Sequence, residues 1–293
     1  MKVACTGRSR VLGARIAEHL GAGLVETTLS RFPDGEIYLR TGVLDEATVV
    51  VGSLLSGDSL VELLLLIDAC HRSEVMLVIP YMGYARQDRE FKPGEPVSAR
   101  AMARALSHGV SRVLTVNIHK ESVLSHFAVP ASQVNLAPAV GDFIRGLDLE
   151  NPLILAPDRG AEPFAAIVAS RGGWECDQLE KTRISGEVVR IEPRKGGPWT
   201  GDVVLVDDII STGGTLATAA RMLRAQGAKG VYAVCVHGLF AGAALDLLGS
   251  SGINQIAASD TIEGPNSRYS AAGPIAARLR EFLADARVKG FSR

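Results

Sequence analysis

The sequence predicts an α/β protein with two similar domains, each a mainly parallel sheet flanked by helices. Short β-branched runs alternate with helix-length amphipathic segments along the whole chain, which is the pattern of strands joined by crossover helices. Each half also contains a strand that ends in a polar cluster, "LTVNIHKES" in the first half and "VLVDDIISTGG" in the second. A length of 293 residues favours two domains over one.

The predicted strands are apolar runs that would be buried on both faces of a sheet. They are "KVAC", "TVVVGS", "EVMLVIP", "RVLTVNI", "PLILAP", "DVVLVDD", "GVYAVCVH" and "INQIAAS". Helix signals lie between them. The "SLVE" sequence at 59–62 has capping-box spacing, and "GEPVSARAMARALSHG" has a proline near its start and a glycine just past its end.

The domain boundary is predicted near residues 140–150, within "NLAPAVGDFIRGLDLENPLIL". This segment connects one group of βα units to the next. The predicted domains are therefore 1–145 and 146–293, and the polar clusters of both lie at carboxyl ends of strands, where parallel sheets bind ligands.

Composition and charge exclude several classes of function. A net charge of −1 offers no electrostatic footprint for nucleic acid or for an anionic membrane. The longest apolar stretch, "LVELLLLIDAC", is interrupted by Glu62 and Asp68, and the apolar run at the amino terminus is too short for a signal peptide. The four cysteines lack paired spacing, so we expect reduced thiols in a cytoplasmic protein.

The second polar cluster has the chemistry of a sugar-phosphate site. With a strand at 203–206, Asp207 and Asp208 emerge at its carboxyl edge, where two acids can accept two sugar hydroxyls. The "STGGT" turn from Ser211 to Thr215 adds hydroxyl donors and glycines, and a helix N-terminus follows it. A plain strand–turn–helix connection explains a bare TGGT about equally well, but the acid pair favours a ligand that carries both hydroxyls and a phosphate.

The segment resembles the phosphoribosyl-binding loop of type I phosphoribosyltransferases and ribose-phosphate pyrophosphokinases. Further segments resemble the latter family over nearly the whole chain. They are "RFPDGEIYLR", "VIPYMGYARQDREFKPGEPVSAR", "NIHKESVLSHF", "PDRG" and "EKTR". The forms of "EKTRIS" and "VDDIISTGGT" look most like the archaeal-type branch. The resemblance implies two phosphoribosyltransferase-like domains and transfer of the diphosphoryl group of ATP to D-ribose 5-phosphate.

The resemblance also implies roles for individual residues. ATP would be bound by Phe32, Asp34, Gly35, Glu36, Arg86 and Gln87, with 34–36 reaching the nucleotide of a neighbouring subunit. Ribose 5-phosphate would be bound by Arg183, Asp207, Asp208, Ser211, Thr212, Gly213, Gly214 and Thr215. A Mg²⁺ ion would be held by His119 and Asp158, and Lys181 and Arg183 would be catalytic residues on a flexible flap next to Ser185 and Gly186.

Residue chemistry alone leaves simpler interpretations open for each of these positions. Pro33, Asp34 and Gly35 also suit an ordinary β-turn, and His119 also suits an exposed position without a ligand. Many relatives have an aspartate where this chain has Asn117, and a neutral amide lacks the charge that a metal ion would meet.

Two alternative functions follow from the same residues. A phosphoribosyltransferase would use the 203–220 segment but leave "RFPDGE" and "YARQD" without a role. A non-catalytic regulatory homologue is favoured only by Asn117. The apolar 60–67 segment and the resemblance both indicate self-association.

Overall fold

A computed structural model describes residues 1–183, 189–193 and 199–290, and the chain forms two compact units. Unit 1 contains Met1–Asn135, Thr261–Glu263 and the chain from Ser270 onward, and unit 2 contains Leu136–Asp260 and Gly264–Tyr269. This division differs from the predicted 1–145 and 146–293. The chain changes unit about ten residues earlier than predicted, and the C-terminal helix belongs to unit 1.

Unit 1 is built on a parallel sheet of six strands, numbered along the chain, in the order β2-β1-β5-β6-β7-β8. Its strands are β1 Lys2–Cys5, β2 Gly23–Leu24, β5 Ala47–Val51, β6 Glu74–Ile79, β7 Arg112–Val116 and β8 Ala131–Val134. A separate antiparallel hairpin is formed by β3 Thr27–Arg31 and β4 Ile37–Thr41.

The helices of unit 1 are α1 Arg10–Leu20, α2 Gly57–Ala69, α3 Ser98–Leu106 and α8 Ala272–Gly290, and 3₁₀ turns span Gly7–Ser9 and Glu121–His126. Helix α8 packs against α1 and β8. It buries Ile275, Leu279 and Phe282 there, and the Arg112 guanidinium lies 4.5 Å from the Phe282 ring centre. These long-range contacts explain why the C-terminal segment belongs to the first unit.

Unit 2 is built on a seven-stranded sheet in the order β11-β10-β9-β12-β13-β14-β15. Its strands are β9 Leu153–Ala156, β10 Cys176–Arg183, β11 Val189–Pro193, β12 Asp202–Ile210, β13 Gly230–Gly238, β14 Gln255–Ser259 and β15 Ser267–Tyr269. All neighbours are parallel except β10 and β11. Its helices are α4 Ala137–Arg145, α5 Glu162–Ser170, α6 Gly214–Ala225 and α7 Ala244–Ser250.

The predicted fold class is confirmed, and all eight predicted apolar runs form strands. The predicted capping box at 59–62 is wrong in position, because α2 begins at Gly57. The Ser56 side chain accepts the Ser59 N–H at 3.3 Å, and the Ser59 hydroxyl accepts the Ser56 N–H at 2.7 Å. Glu62 instead accepts the Gly7 N–H at 2.6 Å.

Segment 60–67 is buried on one side only. Leu63, Leu66 and Ile67 lie in the core of unit 1, whereas Val61 and Leu65 are 46% and 37% exposed. In the part of the chain that the structure describes, we find no helix with the length and hydropathy needed to cross a bilayer.

Candidate active site

The candidate site of unit 2 lies where β9 and β12 meet at the carboxyl edge of the sheet. From β9 the chain passes through α5 to β10 on one side, while β12 lies on the other side. The loops that leave β9 and β12 therefore diverge, which opens a crevice at the strand ends. Open parallel sheets bind their ligands at such a topological switch point.

Asp207 and Asp208 lie within β12, as in the predicted run "DVVLVDD". The strand continues to Ile210 and is longer than the 203–206 strand assumed for the acid pair. The strand extends to Ile210 because it pairs with β13 along nearly its whole length, with Asp207 opposite Cys235. Its pairing with β9 ends at Leu205. The two acids are thus held in extended backbone by one neighbour, beyond the end of the other.

The environment of Asp207 disfavours its negative charge. Burial raises the pKa of the Asp207 carboxyl to about 8, and the charge and hydrogen bond of Asp208 add to this rise. Asp158 lies close enough for its charge to contribute as well. One Asp207 oxygen accepts the Asp208 N–H at 2.8 Å. The crevice therefore disfavours a negative charge on Asp207, and a bound cation or the hydroxyl donors of a ligand would favour its ionised form.

The Ser211–Thr215 turn presents the start of helix α6 at the same edge. Gly213 is the N-cap residue in a left-handed conformation, with φ of 74°. A Cβ there would approach Leu248 Cγ to 2.9 Å, so both the φ angle and the packing require glycine. Because glycine has no side-chain oxygen, the first N–H groups of α6 stay available to an anion. The Ala241 N–H donates to the Ser211 carbonyl at 3.0 Å and anchors the turn.

Asp158 follows β9 on an exposed loop that leads into α5. Its Oδ1 accepts the N–H groups of Gly160 and Ala161 at 2.8 and 3.2 Å. These bonds fix the carboxylate and leave Oδ2 for another partner. Among the described residues, no group of three or more His, Cys, Asp or Glu side chains is arranged to hold a metal ion.

Lys181 and Arg183 occupy alternate positions of β10, opposite Ile191 and Val189 of β11. The structure thus places both on an antiparallel extension of the sheet. The predicted hinge residues Ser185 and Gly186 lie outside the described residues, and the predicted flap motion stays a prediction.

In unit 1, the loop at 32–36, which is predicted to bind ATP, joins β3 to β4. It forms the ordinary β-turn that Pro33, Asp34 and Gly35 also suit. The Gly35 N–H donates to the Phe32 carbonyl at 2.9 Å, and Gly35 has φ of 95°. Phe32 is 49% exposed and packs edge-to-face with Tyr38 at a centroid distance of 5.7 Å. The turn therefore exposes an aromatic surface beside two carboxylates, and it remains compatible with ligand binding.

The second ATP-side segment follows β6. Arg86 is exposed, whereas Gln87 is partly buried and accepts a hydrogen bond from the Ser98 hydroxyl at 2.7 Å. The Ala99 N–H donates to the Gln87 carbonyl at 3.2 Å. The start of α3 therefore holds Gln87 and leaves the Arg86 side chain in solvent.

His119 is exposed and follows β7. Two residues earlier, Asn117 has φ of 37°, a left-handed conformation that asparagine adopts more readily than most residues. Its N–H donates to the Val134 carbonyl at 3.0 Å. Asn117 thus has a conformational role at the end of β7.

Sequence reasoning missed one ion pair at this edge. Lys120 Nζ lies 3.1 Å from Asp88 Oδ2, which joins the loop after β7 to the loop after β6. The hydrogen bond from Lys120 lowers the pKa of Asp88. No local pattern signals this contact, because the two residues are far apart in sequence and meet only when β6 and β7 pair.

Comparison with known proteins agrees with this arrangement. Residues 1–109 match the N-terminal domain of ribose phosphate pyrophosphokinase, and residues 130–246 match a phosphoribosyl transferase domain. A ribose-phosphate pyrophosphokinase of Methanosarcina acetivorans is 44% identical over 96% of this chain and 99% of its own length. That of Methanopyrus kandleri is 42% identical over 94% of this chain and 97% of its own.

The fold is also similar to that of a solved structure. Phosphoribosylpyrophosphate synthetase from Mycobacterium smegmatis superposes with a TM-score of 0.83 at 26% identity, covering 97% of this chain and 99% of that one. The similarity therefore extends over both units and is not confined to the crevice of unit 2. Together with the archaeal relatives, it shows that the chain belongs to the ribose-phosphate pyrophosphokinase family.

Proposed function

We propose that this protein transfers the β,γ-diphosphoryl group of ATP to the C1 hydroxyl of D-ribose 5-phosphate, giving 5-phospho-α-D-ribose 1-diphosphate and AMP. The main observation that supports this proposal is the crevice of unit 2. There, a carboxylate pair on β12 is followed directly by a glycine turn and by the N-terminus of α6, which has no side-chain cap. This arrangement suits one ligand with hydroxyls at one end and a phosphate at the other. Family membership supports the reaction.

In the proposed complex, the 5-phosphate of the acceptor binds the Ser211–Thr215 turn. Backbone N–H groups and the positive end of the α6 dipole offset its charge. Asp207 and Asp208 accept hydrogen bonds from the ribose hydroxyls. Because these contacts hold both ends of the sugar, its C1 hydroxyl is fixed for reaction.

The C1 oxygen attacks the β-phosphorus of ATP in line with the bridging oxygen to the α-phosphate. A bond forms between that oxygen and the β-phosphorus, and the C1 hydroxyl proton is released to solvent. The bond from the β-phosphorus to the bridging oxygen breaks, and AMP leaves with that electron pair on its oxygen. Positioning and charge neutralisation supply most of the catalysis in such transfers. We assign Lys181 and Arg183 to the negative oxygens of the transferred group, with Arg183 also reaching ribose 5-phosphate.

We assign the nucleotide to residues of unit 1. The exposed face of Phe32 suits stacking on a purine, and Asp34 and Glu36, beside Gly35, suit hydrogen bonds to it. Arg86 has the charge and the fork of donors that polyphosphate oxygens require, and Gln87 is a neutral donor beside it. By family resemblance, 34–36 reach the nucleotide of a neighbouring subunit.

The donors present also fit Mg²⁺, which prefers oxygen ligands and few protein contacts. Asp158 would offer its second carboxyl oxygen, and His119 is the other residue that the resemblance assigns to the metal ion. When bound, Mg²⁺ would neutralise charge on the triphosphate.

The proposal is tested by incubating the purified protein with ATP, ribose 5-phosphate and Mg²⁺. Release of AMP together with the phosphorus resonances of a new diphosphate ester supports it. A second incubation contains phosphoribosyl diphosphate and a nitrogenous base. Consumption of both there, without AMP formation from ATP in the first incubation, would instead identify a phosphoribosyltransferase. Nucleotide binding without turnover in the presence of metal would identify a regulatory homologue. Arg221→Gln, at an exposed position of α6 that has no role in the proposed site, is a control that should leave the activity unchanged.

We also propose that copies of this chain associate with one another in the cytoplasm. Val61 and Leu65 of α2 are partly exposed, and so are Leu29 and Tyr38 of the neighbouring hairpin. Leu29 and Tyr38 lie on opposite faces of the hairpin, because Leu29 pairs with Leu39 and Tyr38 pairs with Ser30. The apolar surface that we assign to a second copy of the chain therefore consists of Val61 and Leu65. All four cysteines are free, which suits a reducing compartment. Light scattering with Val61→Glu and Leu65→Glu tests the association, since unchanged mass would refute this surface.

A further inference from the structure

An ion pair joins two loops at the carboxyl edge of the unit 1 sheet. Lys120 Nζ lies 3.1 Å from Asp88 Oδ2, and the Asp88 side chain is only 10% exposed whereas that of Lys120 is 48% exposed. Partial burial strengthens such a pair relative to a fully solvated one. Neither residue belongs to the set assigned to ATP or to the metal ion.

Each partner of this pair is adjacent to residues with a proposed role. Asp88 follows Arg86 and Gln87, and Lys120 follows His119. Both loops are also anchored to the structure behind them. The Ser98 hydroxyl and the Ala99 N–H bind Gln87, and the Val123 N–H donates to the Lys120 carbonyl at 3.0 Å. The Asp88–Lys120 contact links these two anchored loops to each other.

We propose that Asp88 and Lys120 are positioning residues whose ion pair fixes the spacing between the Arg86–Gln87 loop and the His119 loop, and so sets the affinity for ATP. This inference rests on the proposed function, because it takes the polyphosphate of ATP as the ligand of these loops. Strands β6 and β7 pair through Ile79 and Thr115. The pairing of the two strands ends there, so the Asp88–Lys120 contact is a cross-link that would keep the following loops from moving apart.

The rival interpretation assigns Lys120 to direct contact with the polyphosphate. The two interpretations make opposite predictions for Asp88. If the pair positions the loops, removal of either charge loosens the same structure. If Lys120 binds ATP directly, loss of Asp88 frees the ammonium group and leaves ATP binding intact or tighter, whereas loss of Lys120 weakens it.

The test compares Asp88→Asn, Lys120→Met, the double variant and the charge-reversed pair Asp88→Lys with Lys120→Asp. KM values for ATP and for ribose 5-phosphate are measured along with kcat and the melting temperature. Asp142→Asn is the control, because it removes an exposed carboxylate that pairs with Arg145 and Arg171 in unit 2.

We expect each single variant to raise the KM for ATP about tenfold, equivalent to about 1.4 kcal/mol, with the KM for ribose 5-phosphate unchanged. The double variant should be no worse than either single one, because both remove the same contact, and charge reversal should restore part of the affinity. The control should match wild type.

Two results would overturn the inference. The first is a loss of ATP affinity in Lys120→Met but not in Asp88→Asn, and the second is a double variant whose effect equals the product of the single effects. If Asp88→Asn or Lys120→Met does not fold, Asp88→Ser or Lys120→Gln replaces it and is judged by the same two criteria. Calorimetric titration with a non-hydrolysable ATP analogue measures the same affinities without turnover, so failure of the proposed reaction is distinguished from failure of this inference.

Discussion

The raised pKa of Asp207 makes the stability of the unliganded protein depend on pH. Its carboxyl has a pKa of about 8 in the folded protein and an ordinary value of 3.8. Between these values, the folded state holds a proton that the unfolded state releases. Stability from this group is therefore complete below about pH 4 and is lost as pH rises through about 8. We predict that Asp207→Asn stabilises the unliganded protein at pH 8 and not at pH 4.

The size of this effect follows from the shift. Four pKa units correspond to about 6 kcal/mol, which is an upper limit because part of the shift comes from the charge of Asp208 and the site is partly open to water. We expect a gain of about 1–3 kcal/mol at pH 8, which raises the melting temperature by roughly 3–10 °C. The asparagine side chain keeps an oxygen for the Asp208 N–H, so the local hydrogen bond is retained.

The assay is thermal unfolding of wild type and variant between pH 4 and pH 8, with and without ribose 5-phosphate. Asp246→Asn is the control, because Asp246 is an exposed acid in the same unit, and it should show no pH-dependent gain. Ribose 5-phosphate should stabilise wild type and have little effect on the Asp207 variant. An equal gain at both pH values, or destabilisation at pH 8, would refute the burial argument.

Three further predictions concern the same site. Lys181→Ala should lower kcat by orders of magnitude while leaving ATP affinity nearly unchanged, and equal loss of binding in a titration would contradict its assignment to the transferred group. Gly213→Ala should raise the KM for ribose 5-phosphate at least tenfold, because a left-handed φ costs about 1–2 kcal/mol and the new Cβ meets Leu248 at 2.9 Å. Adding Leu248→Ala should relieve only the clash. Full recovery of the KM in that double variant would show that the φ angle is unimportant. Calorimetry should give one bound ribose 5-phosphate per chain, and two per chain would show that unit 1 has an equivalent site.

The sequence was sufficient to predict the parallel sheets, because their central strands are continuous apolar runs. It did not reveal the β3–β4 hairpin, whose "TTLSR" and "IYLRT" strands are polar and largely exposed. The strand predicted at 203–206 also ends before the observed β12, which continues to Ile210. Carboxylates normally mark the end of a buried strand, but here β13 continues to pair with β12 after β9 has ended. The position of Asp207 and Asp208 within β12 therefore depends on pairing with β13 and not on local composition.

The two units share a topology, yet their helix N-termini differ in a way that explains why only the second is assigned a phosphate at a helix N-terminus. In unit 1, the strand pair at the switch point is β1 and β5, and each leads into a helix that side chains of the protein cap. Ser56 and Ser59 bind the start of α2, and Glu263 accepts the Leu12 N–H of α1 at 2.8 Å. In unit 2, the helix after β12 begins at Gly213 and offers its N–H groups to a ligand. In two parallel sheets of the same kind, Ser56 caps the helix N-terminus after β5, whereas Gly213 precedes the helix after β12 without a side-chain cap. This difference is the reason for assigning the 5-phosphate to the second unit.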